Sequence, residues 1–317
     1  MSFWNGQRIV VTGGAGFLGS HIVERLRLAG ADPFVPRKKE YNLTRFEDAT
    51  RCFQNARPNL IIHGAANYGG IGYNQLCPGT IFFENLVMGA NVMEAARQCK
   101  VDKFVAIGTA CSYPGYLEGE LREESLWDGP PHETVINYGL TKKMMAVQGW
   151  AYQKQFGFRS IHLILTNLYG PRDSFHPERS HVVSALIRKF VEAKMNGQPQ
   201  VDVWGTGRPI REFLYVEDCA DAILRAAELY DDTLPLNIGT GCGTAVRELV
   251  SLIQEITAFA GELSWNTSKP DGQLKKVLNV SRMRAALQWS PPTDLRTGLR
   301  KTIEWYEANK EEADGRY

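Results

Sequence analysis

The chain has 317 residues, enough for one large domain or two modest ones of about 100–200 residues each. It is 44% hydrophobic and 22% charged, and its 36 basic and 35 acidic residues leave a formal net charge of +1. A charge this close to zero argues against nucleic acid or a membrane surface as the main partner. No apolar run approaches the roughly 20 residues that span a bilayer, and residues 1–7 lack the pattern of a signal peptide.

The cysteines are scattered, with neither a Cys-x-x-Cys pair nor an adjacent histidine. They are Cys52, Cys77, Cys99, Cys111, Cys219 and Cys242. This spacing argues against a zinc site, and a chain of this length does not need a disulfide framework. We therefore expect reduced thiols in a cytoplasmic protein, and no bound metal.

The first half of the chain alternates short apolar runs with amphipathic stretches. Strands are predicted at 8–12, 33–36, 60–63, 104–107 and 160–165, and helices at 17–29, 83–99 and 138–156. The strand at 33–36 is the weakest of these, because a proline bounds it on each side. The alternation predicts an α/β fold in which helices cover both faces of a doubly wound parallel sheet.

After residue 172 the pattern loosens. We predict a helix at 181–196, a strand at 201–204, a loop rich in Gly and Pro at 205–209, a strand at 236–238 and helices at 246–259 and 295–309. This predicts a smaller second domain interleaved with the first. Residues 1–172 and 213–240 would form a dinucleotide-binding domain, and residues 173–212 and 241–317 a substrate-binding domain.

A glycine-rich segment, residues 12–19, lies where the first predicted strand meets the first predicted helix. Gly13 permits a tight turn, Gly16 lets the backbone approach a pyrophosphate, and Gly19 lets the helix pack closely on the sheet. Backbone N–H groups and the helix dipole would then face the phosphates. A glycine-rich run alone is weak evidence, but the flanking strand and helix favour a dinucleotide-binding turn over a purely structural one.

Basic residues follow the second predicted strand, where dinucleotide-binding folds contact the adenosine ribose. An acid at this place binds the 2′-OH of NAD, whereas a basic group accepts the 2′-phosphate of NADP. Arg37, Lys38 and Lys39 stand there. A solvated charge run on a turn is the alternative explanation. At this location we favour NADP(H) over NAD(H).

A phenol and an ammonium, Tyr138 and Lys142, lie four residues apart and hence on one face of a predicted helix. Because free tyrosine titrates at about pH 10, we expect the ammonium and an oxidised nicotinamide to lower the pKa of Tyr138 into a useful range. Lys142 would also hold the nicotinamide ribose. Thr109 follows another predicted strand, at the sheet edge where ligands bind, and its hydroxyl would share a carbonyl oxygen with Tyr138.

Together, the segments at 12–19 and 63–66, Thr109 and the Tyr138/Lys142 pair resemble the extended short-chain dehydrogenase/reductase family of nucleotide-sugar epimerases, dehydratases and reductases. That resemblance implies a Rossmann-type sheet. Further segments are similar to the branch that epimerises and reduces GDP-4-keto-6-deoxy sugars: 69–71, 108–114, 166–171, 175–177, 180–182, 203–205, 211–213 and 268–272. The matching segments cover almost the whole chain.

The resemblance implies an NADPH-dependent reaction in two stages on a GDP-sugar. A ketone at C4 acidifies the protons on C3 and C5, and Cys111 and His181 are implied as the base and acid pair that invert these carbons. If the chain stays extended after Thr109, Cys111 points to the same face. Thr109 and Tyr138 would hydrogen-bond the enolate oxygen, and Tyr138 would then donate a proton as C4 is reduced. Without the resemblance, a buried thiol and a structural histidine are the simpler explanations.

The resemblance also implies binding residues. Cofactor contacts are implied at Gly13, Gly16, Phe17, Leu18, Gly19, Arg37, Lys38, Asn42, Leu43, Ala65, Ala66, Gly108, Lys142, Asn167 and Leu168, and substrate contacts at Lys189, Trp204, Arg211 and Asp271. Lys189 and Arg211 suit a diphosphate, and Trp204 offers a stacking face. The chain departs from the family pattern where Thr109 replaces a serine and where Lys189 replaces an arginine, which loses bidentate phosphate geometry.

Two alternatives to the two-stage reaction stay open. One is an epimerase or reductase that acts on another nucleotide-sugar, such as a GDP-heptose. The other is a non-catalytic dinucleotide-binding sensor on the same fold, against which the presence of both Tyr138 and Lys142 argues. By the same resemblance we expect a homodimer in which the helices at 83–99 and 138–156 form a shared bundle.

Overall fold

The computed structural model describes residues 3–117, 119–177, 179–268 and 273–315. The strands are β1 (Ile9–Thr12), β2 (Leu60–His63), β3 (Lys103–Thr109), β4 (Glu120–Leu121), β5 (Ser160–Leu165), β6 (Asn167–Tyr169), β7 (Gln200–Trp204), β8 (Ile210–Tyr215), β9 (Leu236–Ile238), β10 (Gly243–Ala245), β11 (Glu262–Asn266) and β12 (Lys275–Leu278). The helices are α1 (Phe17–Leu28), α2 (Phe46–Ala56), α3 (Ile71–Leu76), α4 (Pro78–Gln98), α5 (Ile136–Phe156), α6 (Val182–Met195), α7 (Val216–Leu229), α8 (Val246–Thr257), α9 (Ser281–Leu287), α10 (Leu295–Ala308) and α11 (Lys310–Gly315).

Apolar runs of the N-terminal half form a parallel sheet with the strand order β1-β2-β3-β5-β9. Every residue of β1 and β2 is buried, as expected for strands that are covered on both faces. Successive residues of β1 enter different cores, Val10 on one face and Val11 on the other, because side chains alternate along a strand. The predicted α/β fold with a doubly wound parallel sheet is therefore confirmed.

Helices α1 and α7 pack together on one face of this sheet, and α2, α4 and α5 pack on the other. The helix predicted at 83–99 begins five residues earlier, at Pro78, a residue that suits the first turn because its missing N–H has no intrahelical partner there. Within the described ranges, no helix combines the length and the apolar character that a bilayer crossing requires.

The strand predicted at 33–36 is wrong. Only Phe34 forms an isolated bridge, with Val10 of β1. Its N–H donates to the carbonyl of Ile9 at 2.8 Å, and its carbonyl accepts from the N–H of Val11 at 3.0 Å. The segment thus lies at the edge of the sheet, but proline on both sides lacks the N–H that would extend the ladder.

The second half of the chain adds a sheet with the order β10-β8-β12-β4, in which β6 also pairs with β8, and a two-stranded pair of β7 and β11. Neither β8 nor α7 was predicted from the sequence, although they occupy a continuous stretch at 210–229. A separate core here is built mainly from residues 175–203 and 249–313, with Tyr169, Phe213 and Tyr215. The division into two interleaved domains stays a prediction.

Candidate active site

The glycine-rich turn joins β1 to α1 at the carboxyl edge of the parallel sheet. Gly13 has a φ of +72°, and a Cβ on it would lie 2.8 Å from the nitrogen of Ala65. A Cβ on Gly19 would collide with the carbonyl oxygen of Gly13, so only glycine lets α1 approach the turn this closely. Gly16 precedes α1 without a side-chain cap, so first-turn N–H groups are available to a ligand. This cradle fits the pyrophosphate of a dinucleotide.

Most of the other implied cofactor residues follow neighbouring strands at the same edge. Ala65 and Ala66 come directly after β2, Gly108 lies at the end of β3, and Asn167 and Leu168 lie in β6. The Ala65 N–H donates to the Thr12 hydroxyl at 3.3 Å, which ties the turn to the segment after β2. Their contacts with a cofactor stay predictions.

Two further pairs of implied cofactor residues follow the bridge at Phe34 along the chain. Arg37 and Lys38 are exposed just after it. Asn42 is engaged in its own turn, because its side-chain oxygen accepts from the hydroxyl of Thr44 at 2.9 Å. The side chain of Leu43 is buried in the core next to α2, and its contact with a cofactor stays a prediction.

Tyr138 and Lys142 are both buried on α5, and the Lys142 Nζ lies 5.7 Å from the centroid of the Tyr138 ring. Burial lowers the pKa of Lys142 to about 8. Burial also raises the pKa of Tyr138, and Cys111 adds to this rise. The protein without cofactor therefore does not show the expected lowering of the Tyr138 pKa, because desolvation of the phenolate and the nearby Cys111 raise it. The phenol is protonated at neutral pH, which is the form that donates a proton.

Cys111 lies in a short 3₁₀ turn at Ala110–Ser112, so the condition of an extended chain after Thr109 is not met. The turn is stabilised by the Cys111 N–H, which donates to the Thr109 hydroxyl at 3.2 Å. The Ser112 hydroxyl donates to the carbonyl of Gly139 on α5 at 2.9 Å. A Cβ on Gly139 would collide with the carbonyl oxygen of Cys111. Glycine at this position brings α5, and with it Tyr138, against the turn that carries Cys111.

A tyrosine that was not predicted, Tyr68, lies at the centre of the site. Its ring stacks on that of Tyr138, with centroids 4.0 Å apart, and on that of His181, with centroids 5.3 Å apart. Its hydroxyl lies 3.7 Å from the sulfur of Cys111. His181 occupies the N-cap position of α6, and burial lowers its pKa. The structure therefore brings the implied base and acid, Cys111 and His181, to the same tyrosine.

A second residue that was not predicted, Lys276 on β12, donates from Nζ to the sulfur of Cys111 at 3.4 Å. Burial by itself raises the pKa of Cys111. The charge of Lys276, together with hydrogen bonds from Thr109, Tyr68 and Lys276, outweighs burial and lowers the pKa of the thiol. A lowered pKa favours the thiolate, the form that accepts a proton, relative to a free cysteine.

The sequence carried weak signals for both residues. Tyr68 immediately precedes the segment at 69–71, and Lys276 follows the segment at 268–272 by four residues. Both segments belong to the set that carries the resemblance. Position beside such a segment does not indicate contact with Cys111, which only the folded chain shows.

The implied substrate residues lie on α6, β7 and β8. The Lys189 Nζ donates to the carbonyl of Asp202 at 2.8 Å and lies 5.3 Å from the centroid of the exposed Trp204 ring. Arg211 on β8 pairs in register with Lys276 on β12, which links the substrate residues to Cys111. Asp271 lies outside the described residues. The substrate roles of these residues stay predictions.

The fold and the site together define a dinucleotide-binding enzyme of the α/β class. Residues 9–239 match the model of the NAD dependent epimerase/dehydratase family, and the chain belongs to that family. This confirms the predicted resemblance to the extended short-chain dehydrogenases/reductases and the expectation that the protein is an enzyme.

Individual relatives match over nearly the full chain. A GDP-L-fucose synthase of Sinorhizobium fredii is 38% identical over 309 residues, which cover 98% of each chain. The structure of a GDP-6-OMe-4-keto-L-xylo-heptose reductase from Campylobacter jejuni superimposes with a TM-score of 0.89 at 27% identity, covering 95% of this chain and 97% of that one. A GDP-L-fucose synthetase from Naegleria fowleri bound to NADP has a TM-score of 0.87 at 26% identity, with 96% and 95% covered.

Proposed function

We propose that this enzyme epimerises C3 and C5 and reduces C4 of a GDP-4-keto-6-deoxy sugar with NADPH, giving GDP-L-fucose or a close relative. The observation that carries the proposal is the cluster of Cys111, Tyr68 and His181 beside Tyr138. A simple reductase needs the Tyr138/Lys142 pair, whereas inversion at carbon also needs a base and an acid next to the same ketone. The relative from S. fredii carries the name GDP-L-fucose synthase, in line with both stages.

In the first stage, the Cys111 thiolate takes a proton from a carbon next to the ketone. The electron pair of that C–H bond moves onto the ketone oxygen and gives an enolate, which Thr109 and Tyr138 stabilise by hydrogen bonds. His181, protonated for this step, then returns a proton to the opposite face of the carbon, and the carbonyl forms again. The proton on Cys111 then passes through solvent to His181, which restores the thiolate and the protonated imidazole. Repetition at the second carbon completes the inversion at C3 and C5.

In the second stage, Tyr138 donates its phenolic proton to the oxygen on C4. NADPH, when bound, supplies the hydride that C4 receives. The raised pKa of Tyr138 keeps the phenol protonated until this step. Lys142, four residues further along α5, lies next to the phenol and would bind the nicotinamide ribose. One oxyanion pocket, Thr109 and Tyr138, thus serves both stages.

The preference for NADP(H) over NAD(H) belongs to the same proposal. Arg37 and Lys38 are exposed beside the edge of the sheet, where basic groups accept a 2′-phosphate. The N. fowleri structure is described as bound to NADP. Replacing both residues by alanine should raise KM for NADPH and leave KM for NADH unchanged. The matched control is Lys194→Ala, an exposed cation at the end of α6.

The direct experiment is incubation with GDP-4-keto-6-deoxy-D-mannose and NADPH, followed by identification of the sugar product by NMR. We expect one NADPH oxidised for each GDP-L-fucose formed. Reduction without inversion, or no turnover of this substrate, would contradict the proposal. An unchanged activity in Tyr138→Phe would favour a non-catalytic, dinucleotide-sensing role instead.

A second candidate keeps the pocket but changes the sugar. The C. jejuni structure with a TM-score of 0.89 is a reductase of a GDP-heptose derivative. The two candidates are distinguished by measuring kcat/KM for a GDP-4-keto-heptose and for GDP-4-keto-6-deoxy-D-mannose in parallel. The substrate with the higher value identifies the preferred sugar. Inversion of either sugar without oxidation of NADPH would identify an epimerase alone.

We also propose that the enzyme is a cytoplasmic homodimer. Met144, Val147 and Trp150 are exposed apolar residues spaced three apart on α5, and Phe83 is exposed on the neighbouring α4. Helices α4 and α5 pack against each other, and a second copy would cover the exposed apolar side chains of both helices. All six cysteines are free thiols, in line with a reducing compartment.

A further inference from the structure

We propose that Lys276 and Tyr68 are positioning residues for proton abstraction, which hold the sulfur of Cys111 as a thiolate between an ammonium and a phenol. The inference rests on the proposed function, in which Cys111 is the base. Neither residue reacts with the substrate. Each acts through a contact with Cys111, from which Tyr68 and Lys276 are 43 and 165 positions away in the sequence.

The position of Lys276 is fixed by its strand. β12 pairs with β8 through Lys275 and Lys276, and β4 pairs with the other end of β12. The Lys276 side chain is half-buried, and its Nζ lies 3.4 Å from the sulfur of Cys111. An ammonium at this distance, away from bulk water, stabilises the thiolate much more than the neutral thiol.

Tyr68 is held by stacking rather than by its backbone element. Its ring lies between those of Tyr138 and His181, with centroids at 4.0 and 5.3 Å. This arrangement directs its hydroxyl to the sulfur of Cys111, 3.7 Å away. Burial, and then the nearby Cys111 and Tyr138, raise the pKa of Tyr68. A phenol with a raised pKa favours its protonated form, in which its O–H can donate a hydrogen bond to the sulfur.

The titratable groups around Cys111 come from four elements. Lys276 lies on β12, Tyr138 on α5, Tyr68 after β2, and His181 at the start of α6 behind the Tyr68 ring. Lys276 brings a positive charge to 3.4 Å from the sulfur, whereas burial lowers the pKa of His181. The partner of the thiolate is thus the lysine rather than the histidine. His181 contacts the Tyr68 ring, with centroids 5.3 Å apart.

The test measures the thiolate directly in the ligand-free enzyme. Alkylation of Cys111 by iodoacetamide is followed by mass spectrometry of its peptide across pH 5–10, in wild type, Lys276→Met, Lys276→Arg and Tyr68→Phe. We expect Lys276→Met to slow alkylation at pH 7 by about tenfold or more, the effect of a rise of about one unit in the pKa of the thiol. Lys276→Arg should restore most of the rate, and Tyr68→Phe should have a smaller effect of the same sign. The exposed Cys242 is alkylated in the same samples and should not change.

An alkylation profile of Cys111 that is the same in wild type, Lys276→Met and Tyr68→Phe would overturn the inference. So would a rise in KM for the sugar nucleotide in Lys276→Met with an unchanged profile, since Lys276 would then act with its neighbour Arg211 on the diphosphate. If Lys276→Met does not fold, the alkylation profile of Tyr68→Phe tests the inference by itself. This variant keeps the stacked ring and removes only the hydroxyl. A shifted profile in an enzyme whose wild type exchanges no substrate protons would support the thiolate pairing and refute the proposed function.

Discussion

The ring of Tyr68 stacks on the ring of Tyr138, with centroids 4.0 Å apart and planes inclined by 22°. The two tyrosines come from different parts of the sheet edge, one after β2 and the other on α5. Tyr68 also contacts Cys111 through its hydroxyl. The residue assigned to reduction and the residue assigned to epimerisation therefore share one aromatic neighbour, which couples their positions.

The stacking makes Tyr138→Phe a clean test of proton donation, since phenylalanine keeps the ring that packs on Tyr68. We expect NADPH oxidation with the keto-sugar to fall by about 100- to 10,000-fold, the usual contribution of a general acid. Exchange of substrate carbon protons should fall less, because Thr109 still stabilises the enolate. Full reductase activity in this variant would show that another group donates the proton.

Gly139→Ala tests how closely α5 must approach Cys111. The added Cβ would collide with the carbonyl oxygen of Cys111, so either the 3₁₀ turn or the helix has to shift. We expect a loss of about 1–3 kcal/mol in the free energy of unfolding, and a loss of epimerisation. Gly79→Ala is the control, because a Cβ there meets nothing within 4 Å. Equal stability and activity in the two variants would contradict this account of the packing.

Lys142→Met tests the buried ammonium through the pH dependence of stability. Burial lowers the pKa of Lys142 from 10.5 to about 8, so between these values the unfolded chain binds more protons than the folded one. The free energy of unfolding of the cofactor-free wild type should therefore rise with pH in this window. Relative to Lys142→Met, the rise should total about 3 kcal/mol, at about 1.4 kcal/mol per pKa unit. Urea unfolding at several pH values measures the free energy of unfolding of both proteins. If the difference in this free energy between wild type and Lys142→Met does not vary with pH, the lowered pKa of Lys142 is refuted.

Trp150→Glu tests the proposed dimer. Trp150 is 49% exposed and belongs to the apolar surface of α5 with Met144 and Val147, and a carboxylate buried there without a partner is costly. We expect Kd for the dimer to rise by about 100-fold, or about 2.7 kcal/mol, in sedimentation experiments. Leu28→Glu, at an exposed leucine on α1, should leave the oligomeric state unchanged. A wild-type protein that stays monomeric at micromolar concentration would contradict the proposed dimer.

The elements that the sequence predicts well are those whose signals are local. β1, the turn at Gly13–Gly19 and α1 follow one another within about 20 residues, and each has its own pattern. The edge segment at Phe34 makes two backbone hydrogen bonds to β1 but forms no ladder. Its short apolar pattern does not distinguish such a bridge from a full strand. The sequence pattern does not reveal that β3 ends at Thr109 in a 3₁₀ turn. The turn depends on the hydrogen bond that the Cys111 N–H donates to the Thr109 hydroxyl.

The sequence did not predict the two residues that contact Cys111 at the centre of the site. Contacts of Cys111 with Tyr68 and Lys276 join residues 43 and 165 positions apart, and nothing in the local sequence records them. The pKa of Tyr138 shows the same limitation, because the sequence does not indicate the burial and the nearby Cys111 that raise it. Both features depend on how β12 and α5 meet the edge of the parallel sheet.

The most direct test of the central claim is deuterium incorporation from D₂O into GDP-4-keto-6-deoxy-D-mannose, measured by mass spectrometry and NMR with wild type and Cys111→Ser. The account predicts carbon-bound deuterium at C3 and C5 of the product formed by the wild type, and a loss of this label in Cys111→Ser while NADPH binding persists. Normal labelling by Cys111→Ser, or a reduced product from the wild type without any carbon-bound deuterium, would contradict it.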